Sequence, residues 1–345
     1  MNTIESAISK PLISVLLPFY NAGELISRAI QSIINQTFVS WELILVNNGS
    51  TDCSVKLAEC AAKADSRIKI INESCKDIVN ALNTGLLQCK GEYIARMDAD
   101  DESLPNRLSW QFNFMNLNPE IDLSSGLVKH VSNNGESRGY KIYVDWINSL
   151  ITNEQIHLNQ FIESPFAHPS VVFTKKALQK YGGYSEGDFP EDYEMWLRWL
   201  NMGAKCQKIE KEILIWNDFP TRLSRTDERY KADAFNSIKI QYLDKWLKKY
   251  NPFFPEIAIW GAGKIGRKNA LLLEKLGHKI IFFIDVSLKK IIHNNCMMYT
   301  DIPKAGDCFI VNFVGNRGAA PLIKKELVSK GYIEGKSFIM AAGIK

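Results

Sequence analysis

Asp98, Asp100 and Asp101 place three carboxylates within four positions, directly after the apolar run 93–97. Side chains alternate along a strand, so this spacing predicts Asp98 and Asp100 on one side and Asp101 pointing away. Adjacent carboxylates repel unless a cation lies between them, and Mg²⁺ or Mn²⁺ is commonly held by one or two carboxylates together with substrate phosphates. The chemistry open to this segment is therefore a metal–diphosphate site at a strand end. The alternative is an acidic turn leading into a helix, because Pro105 suits a first helical turn and 104–117 has a helical pattern.

The elements that must position these residues are legible on either side. Short apolar runs at 13–17, 41–46, 68–71 and 93–97 read as buried strands, and helices are predicted over 25–36, 54–64 and 77–89. Such alternation means a mostly parallel, doubly wound sheet. Ligands of these sheets bind beyond the carboxyl ends of the strands. The segments 18–21, 47–52 and 98–101 all lie at those ends, so three polar motifs converge on one rim.

The chain has 345 residues, enough for two domains with cores of their own. A net charge of +4 is too small to argue for a nucleic-acid partner. No run approaches the length of a membrane span, and the first ten residues lack the pattern of a signal peptide. Seven scattered cysteines without a Cys-x-x-Cys argue against a disulfide framework and a zinc site, and for a reducing compartment; a cytoplasmic location is expected.

Further along, Asn133-Asn134-Gly135-Glu136 reads as a hairpin turn, 170–174 as a strand, and a helix is predicted from about Pro190 through Trp199. A long helix over 229–250 carries Phe235, Ile238, Tyr242, Leu243, Trp246, Leu247 and Tyr250 on one stripe, with Lys239, Lys245, Lys248 and Lys249 beside it. It reads either as a bridge between domains or as a peripheral contact with the inner face of the membrane. The break at Asn251-Pro252-Phe253-Phe254-Pro255 marks a domain boundary. A fresh βαβ unit follows, with Gly261-Ala262-Gly263-Lys264-Ile265-Gly266 between strand and helix and Asp285 ending the next strand. This fits a dinucleotide fingerprint. A degenerate Rossmann-like module used for packing or for partners is the preferred reading over a nicotinamide site.

The first domain resembles family 2 glycosyltransferases of the GT-A fold. The resemblance is carried by Ile13-Ser14-Val15-Leu16-Leu17-Pro18-Phe19-Tyr20-Asn21, the segment 42–52, Arg96-Met97-Asp98-Ala99-Asp100-Asp101, His168-Pro169-Ser170 and Glu191-Asp192, in the family's order. Tyr143-Val144-Asp145-Trp146-Ile147-Asn148 and the tail opening at Ile259 are unusual for the family at large. They resemble the beta-1,3-N-acetylglucosaminyltransferase-like protein 1 type, which joins the same domain to a similar tail and whose name suggests UDP-GlcNAc as donor.

That resemblance implies an α/β GT-A domain over 1–228, a linking helix and Pro-rich break over 229–254, and a smaller Rossmann-like α/β domain over 255–345. It implies an inverting, metal-dependent transfer from a nucleotide-sugar donor, UDP-linked, to a saccharide or lipid-linked saccharide acceptor. Asp98 is expected at the nucleoside, Asp100 at Mn²⁺ or Mg²⁺, and Pro18, Tyr20, Asn48 and Ser50 at base and ribose. Asn47 and Asn48 depart from the commoner Val-Asp-Asp-Gly-Ser, which puts the donor nucleotide in doubt. Asp192 is the expected general base, although acids in a first helical turn also favour the macrodipole alone. Glu191 either binds acceptor hydroxyls or caps the helix. His168 contacts acceptor or diphosphate, or is a structural histidine. Where relatives carry a late metal-binding His, Asp218 is either a substitute oxygen ligand or a loop-surface residue. Arg225 and Arg222 flank Ser224 where the family has a loop over the diphosphate, or are solvated surface arginines. For Arg96 a structural salt bridge is expected. The rival of a different class is a non-catalytic adaptor that binds partners through its tail.

Overall fold

The computed structural model describes residues 11–132, 138–220, 222–287 and 295–343. They divide into two compact units: 1–136, 166–186 and 204–220 form the first, and 137–165, 187–203 and 221–345 the second. The expected hairpin turn at 133–136 lies outside the described residues.

The first unit is built on strands β1 (Ile13–Phe19), β2 (Trp41–Asn47), β3 (Ile68–Asn72), β4 (Tyr93–Arg96), β5 (Glu102–Ser103), β6 (Leu123–Ser132), β7 (Val172–Thr174) and β8 (Cys206–Asp218). They make one sheet in the order β3-β2-β1-β4-β7-β6-β8-β5. The β1–β2, β1–β4 and β2–β3 pairs are parallel, and β7 joins β4 antiparallel. Every residue of β1 and β2 is buried, as strands covered on both faces must be. Between them the helix Leu25–Ile34 turns Ile26, Ala29, Ile30 and Ile33 inward on a single helical face. The helix Ile78–Gln88 lies so close to the sheet that a Cβ on Gly85 would meet Leu16 Cδ1 at 2.2 Å.

The second unit holds β9 (Glu256–Trp260), β10 (Lys279–Asp285), β11 (Cys296–Met298), β12 (Ile310–Asn312) and β13 (Phe338–Met340), all parallel in the order β11-β10-β9-β12-β13. Ile257, Ile259, Phe309, Val311 and Ile339 form one core with Ile238, Leu243, Trp246 and Leu247 of the helix Ala232–Tyr250. Ala258, Trp260, Ile310 and Met340 form the other with Ile323 and Leu327 of the helix Ala319–Ser329. Five of the seven stripe residues of the long helix, Ile238, Tyr242, Leu243, Trp246 and Leu247, are thus buried in their own unit, while Tyr250 is exposed, which corrects the membrane-surface reading of that stripe. Among the described residues no helix is long and apolar enough to cross a membrane.

One polar cluster ties the amino ends of the first strands together. Glu42 accepts from Ser14 Oγ at 2.7 Å, from Lys69 Nζ at 2.6 Å and from the Lys90 N–H at 2.7 Å. Burial alone would raise its pKa, but the bonds from Lys69, Ser14 and Lys90 outweigh it and hold the carboxyl below 4.5. A depressed carboxyl stabilises the fold above its unfolded pKa and loses that contribution as pH falls. Glu42→Gln is therefore expected to lower the urea-unfolding free energy by about 1–3 kcal/mol at neutral pH. The gap between the two proteins should narrow as the titration passes below pH 4.5.

Candidate active site

At the carboxyl end of β4 the chain leaves the sheet. The strand stops at Arg96, and Met97 N–H makes one more bond to Leu16 C=O at 3.0 Å before the backbone turns through Ala99 and Asp100. Carboxylate oxygens of Asp98, Asp100 and Asp101 all come within 4.8 Å of one another. The expected divergence of Asp101 is corrected: alternation holds only inside a strand, and the turn swings this residue round to join the other two. Asp101 is fully buried, and it accepts from the Asn217 N–H at 2.8 Å, while Asn217 Nδ2 donates to Asp100 C=O at 2.9 Å. The end of β8 thereby clamps the turn. The helix that follows is Arg107–Leu117 with Asn106 at its N-cap, so Pro105 precedes the helix instead of opening it.

Two buried guanidiniums lie at the carboxylates. Arg96 Nη2 donates to Asp98 Oδ1 at 2.6 Å, which makes the expected structural salt bridge an ion pair with a candidate site residue. Arg107 is fully buried and donates from Nη2 to Arg96 C=O at 2.8 Å. Burial, followed by repulsion from Arg96, lowers its pKa to about 9, against attraction by Asp101. His168 is also buried, with Nε2 2.7 Å from Tyr184 Oη. Burial and then Arg96 push its pKa well below 6.5, Asp98 acting in the opposite sense. Asp218 ends β8 and lies buried, 3.5 Å from His130 Nε2 on β6. The loop-surface reading of Asp218 is corrected.

The neighbouring strand ends form the second part of the rim. Pro18 is buried in β1 beside Val46 of β2, and Tyr20 is exposed with Lys76 Nζ 5.7 Å from its ring centroid. Asn21 takes a left-handed φ of 45° and zips two loops together. Its N–H donates to Ser50 Oγ at 3.0 Å, and its Oδ1 accepts from Thr51 N–H at 2.8 Å. Asp52 adds a bond from Gly23 N–H at 2.7 Å. Asn47 is held by Ser50 N–H at 2.9 Å and by Asn72 Oδ1 at 3.0 Å. Asn48 differs: its Oδ1 is buried with no hydrogen-bond donor among the described residues.

In the second unit, Glu191, Asp192 and Glu194 occupy the first turn of the helix Glu191–Asn201, which has Pro190 as N-cap and no side-chain cap. Acids suit this end of the macrodipole. Their partners differ. Buried Glu191 accepts from Tyr230 Oη at 2.5 Å, and Glu194 accepts from Tyr242 Oη at 2.6 Å and from Arg198 Nε at 3.0 Å. Asp192 is half-buried and accepts from the Tyr193 N–H at 2.7 Å. Arg225 is exposed on the short helix Leu223–Thr226, 5.9 Å from the Tyr140 ring centroid.

The glycine loop of the tail has the backbone its sequence requires. Gly261 takes φ 117°, and a Cβ on Gly266 would fall 1.7 Å from Gly261 C=O. Asp285, however, accepts from Ala262 N–H at 3.1 Å, Val286 N–H at 2.8 Å and Ser287 N–H at 3.1 Å. The acid of the fingerprint closes on its own loop. Arg107, Asn217, Lys76 and Tyr230 were not singled out as ligands or supports from the sequence. Their partners lie far away along the chain, and no local spacing announces them.

A mixed sheet with converging strand-end loops and an acidic cluster at β4 defines a glycosyltransferase of the GT-A fold. The family model for "Glycosyl transferase family 2" matches residues 14–182. The O-antigen biosynthesis glycosyltransferase WbnJ of Escherichia coli is 31% identical over 242 residues, covering 69% of this chain and 90% of that protein. The UDP-Gal:alpha-D-GlcNAc-diphosphoundecaprenol beta-1,3-galactosyltransferase of Escherichia coli is 29% identical over 67% of this chain and 82% of its own length. The solved structure of S. aureus TarS 1–349 in complex with UDP-GlcNAc superposes with a TM-score of 0.51 at 16% identity, covering 68% of this chain and 72% of that one. The chain belongs to glycosyl transferase family 2.

Neutral, buried His168 has a consequence for stability. The unfolded chain takes up a proton near pH 6.5 and the folded one does not, so stability is full above that pH and lost as pH falls below it. The loss from this one group has a limiting slope of about 1.4 kcal/mol per pH unit. Urea unfolding of His168→Gln is expected to fall less steeply below pH 6.5 than that of the parent.

Proposed function

We propose that the chain is an inverting, metal-dependent glycosyltransferase that moves one sugar from a UDP-linked donor to a saccharide hydroxyl in surface-glycan biosynthesis. The observation that carries this reading is the cluster of Asp98, Asp100 and Asp101 at a strand end. Its oxygen-only donor set, brought to one place and partly exposed at Asp98 and Asp100, fits Mn²⁺ or Mg²⁺. Asp100 would hold the ion, with Asp218 at the neighbouring strand end as a further oxygen donor. When bound, the ion supplies Lewis-acid stabilisation of a nucleoside diphosphate.

The remaining roles belong to the chain. Asp98, fixed by Arg96, orients the nucleoside end of the donor. Pro18, Tyr20, Asn48 and Ser50 line the base and ribose, and the buried Asn48 Oδ1 matches an imide N–H, as uracil presents. His168 contributes a neutral imidazole toward acceptor or diphosphate, and Arg225 a cation for the departing phosphates. Asp192 takes the acceptor proton; Glu191, held by Tyr230, orients the acceptor and its neighbour. In the transfer the acceptor oxygen forms a bond to the anomeric carbon as the bond to the phosphate oxygen breaks. The nucleoside diphosphate leaves with the electron pair, and the anomeric configuration inverts. The names of the two Escherichia coli relatives, and the UDP-GlcNAc in the TarS complex, support a UDP-sugar and a lipid-linked saccharide acceptor. We assign 1–228 to transfer, 229–254 to the link and 255–345 to packing or partner binding.

The test is turnover of UDP-, GDP- and dTDP-sugars with Mn²⁺ or Mg²⁺, beside Asp100→Ala and Asp192→Asn. One donor is expected to be used in a metal-dependent turnover that is lost in Asp100→Ala, with kcat lowered by about 10²–10⁴ in Asp192→Asn. A folded protein that binds no donor in the presence of metal would establish the adaptor instead.

A further inference from the structure

Tyr184 has no part in the roles above. It follows the helix Lys175–Tyr181 and a Gly182-Gly183 turn in which Gly182 takes φ 84°. Asn83, 101 positions earlier on the helix Ile78–Gln88, grips its backbone twice. Asn83 Nδ2 donates to Tyr184 C=O at 2.9 Å, and Tyr184 N–H donates to Asn83 Oδ1 at 3.1 Å. Gly183 makes room for this clamp, because a Cβ there would fall 2.9 Å from Asn83 Oδ1. The ring so held is buried and brings its hydroxyl to His168 Nε2 at 2.7 Å. His168 is anchored from its own side. The short helical turn His168–Ser170 is closed by Ser170 Oγ on Ala167 C=O at 2.6 Å, and Gln111 Nε2 donates to Ser170 C=O at 3.0 Å.

A neutral imidazole has one N–H and one lone pair, so the direction of the bond at Nε2 decides what Nδ1 can do. Burial, and then the permanent charge of Arg96, keep His168 neutral against the pull of Asp98. Between neutral partners the phenol is the better donor and the imidazole nitrogen the better acceptor. The phenol is the stronger acid, and its oxygen lone pair is partly delocalised into the ring, whereas the imidazole lone pair is basic. Tyr184 Oη therefore donates, Nε2 accepts, and the ring proton resides on Nδ1.

We propose that Tyr184 is a positioning residue that holds His168 in its Nδ1–H tautomer, so that the imidazole serves the site as a hydrogen-bond donor with no lone pair left to take a proton. The inference rests on the reading of His168 as a site residue and narrows it. The ring donates to an oxygen, and deprotonation of the acceptor falls to a carboxylate. The test is two-bond ¹H–¹⁵N correlation NMR on the full chain with ¹⁵N-labelled histidine, at neutral pH and without donor. The His168 signals are identified by their loss in His168→Gln. The Nδ1–H form is expected in about tenfold excess or more, with Nε2 at the shift of an unprotonated nitrogen. In Tyr184→Phe, which keeps the ring and removes the hydroxyl, that ratio should drop by about fivefold or more. A proton on Nε2 in the parent chain, alone or together with one on Nδ1, overturns the proposal, and so does an unchanged ratio in Tyr184→Phe. The parent spectrum decides the first point even where the variant fails to fold. Neither readout uses a donor, so a failed donor assay would overturn the transferase reading and leave the tautomer to its own result.

Discussion

Three carboxylates with oxygens inside 4.8 Å of one another repel, and the rim of the first unit depends on how that repulsion is opposed. At an effective dielectric near 20 each like-charged pair at that separation costs about 3 kcal/mol, more than one neutral hydrogen bond returns. The protein answers from beneath. Arg96 grips Asp98, and Arg107, still protonated at neutral pH with its pKa near 9, holds the Arg96 carbonyl. Asn217 ties Asp101 and the Asp100 carbonyl to the end of β8. Two positive charges against three negative ones leave a local excess of one negative charge, which a divalent cation would reverse in sign, so that a diphosphate would meet a positive site.

The adjoining rim is organised by a different device: backbone and side-chain groups, neutral apart from Asp52, that satisfy one another almost completely. Asn21, Ser50, Thr51, Asp52 and Gly23 exchange hydrogen bonds between the loops after β1 and β2, and Asn47 joins the second loop to β3. Against that background the buried Asn48 Oδ1 without a donor stands out. An unsatisfied buried acceptor costs about 1–3 kcal/mol, which a ligand N–H can return. The substitution of Asn for Asp at this position keeps an acceptor and removes a charge that would have added to the acidic excess nearby.

The first strands of each sheet were legible because they are short and mostly apolar, β1 and β2 being buried throughout, and many of the helices because their apolar spacing is regular. What was not legible has physical causes. The direction of Asp101 followed from strand alternation, and the strand ends five residues earlier at Arg96. The strand Cys206–Asp218 escaped notice because Lys208, Glu210, Lys211 and Glu212 interrupt its apolar pattern, and one of them, Lys208, is buried all the same. Asn217 reaches Asp101 across 116 positions, and Tyr230 reaches Glu191 across 39. The site's motifs could be read locally, whereas its supports exist only after folding.

The same distinction sorts acids that look alike in sequence. Glu191, Asp192 and Glu194 share one helical turn and one macrodipole, so position alone cannot assign a base. Their hydrogen bonds differ. Glu191 is buried on the Tyr230 hydroxyl and Glu194 on Tyr242 and Arg198, and a carboxylate fixed in that way accepts hydrogen bonds from the protein before it can accept a substrate proton. Asp192 is half-buried and accepts from the amide that follows it. Asp285 makes the converse case in the tail, where an acid at a fingerprint position is turned onto the glycine loop it would otherwise serve. A carboxylate's surroundings thus depend on the hydrogen bonds that folding gives it as well as on its place in the turn.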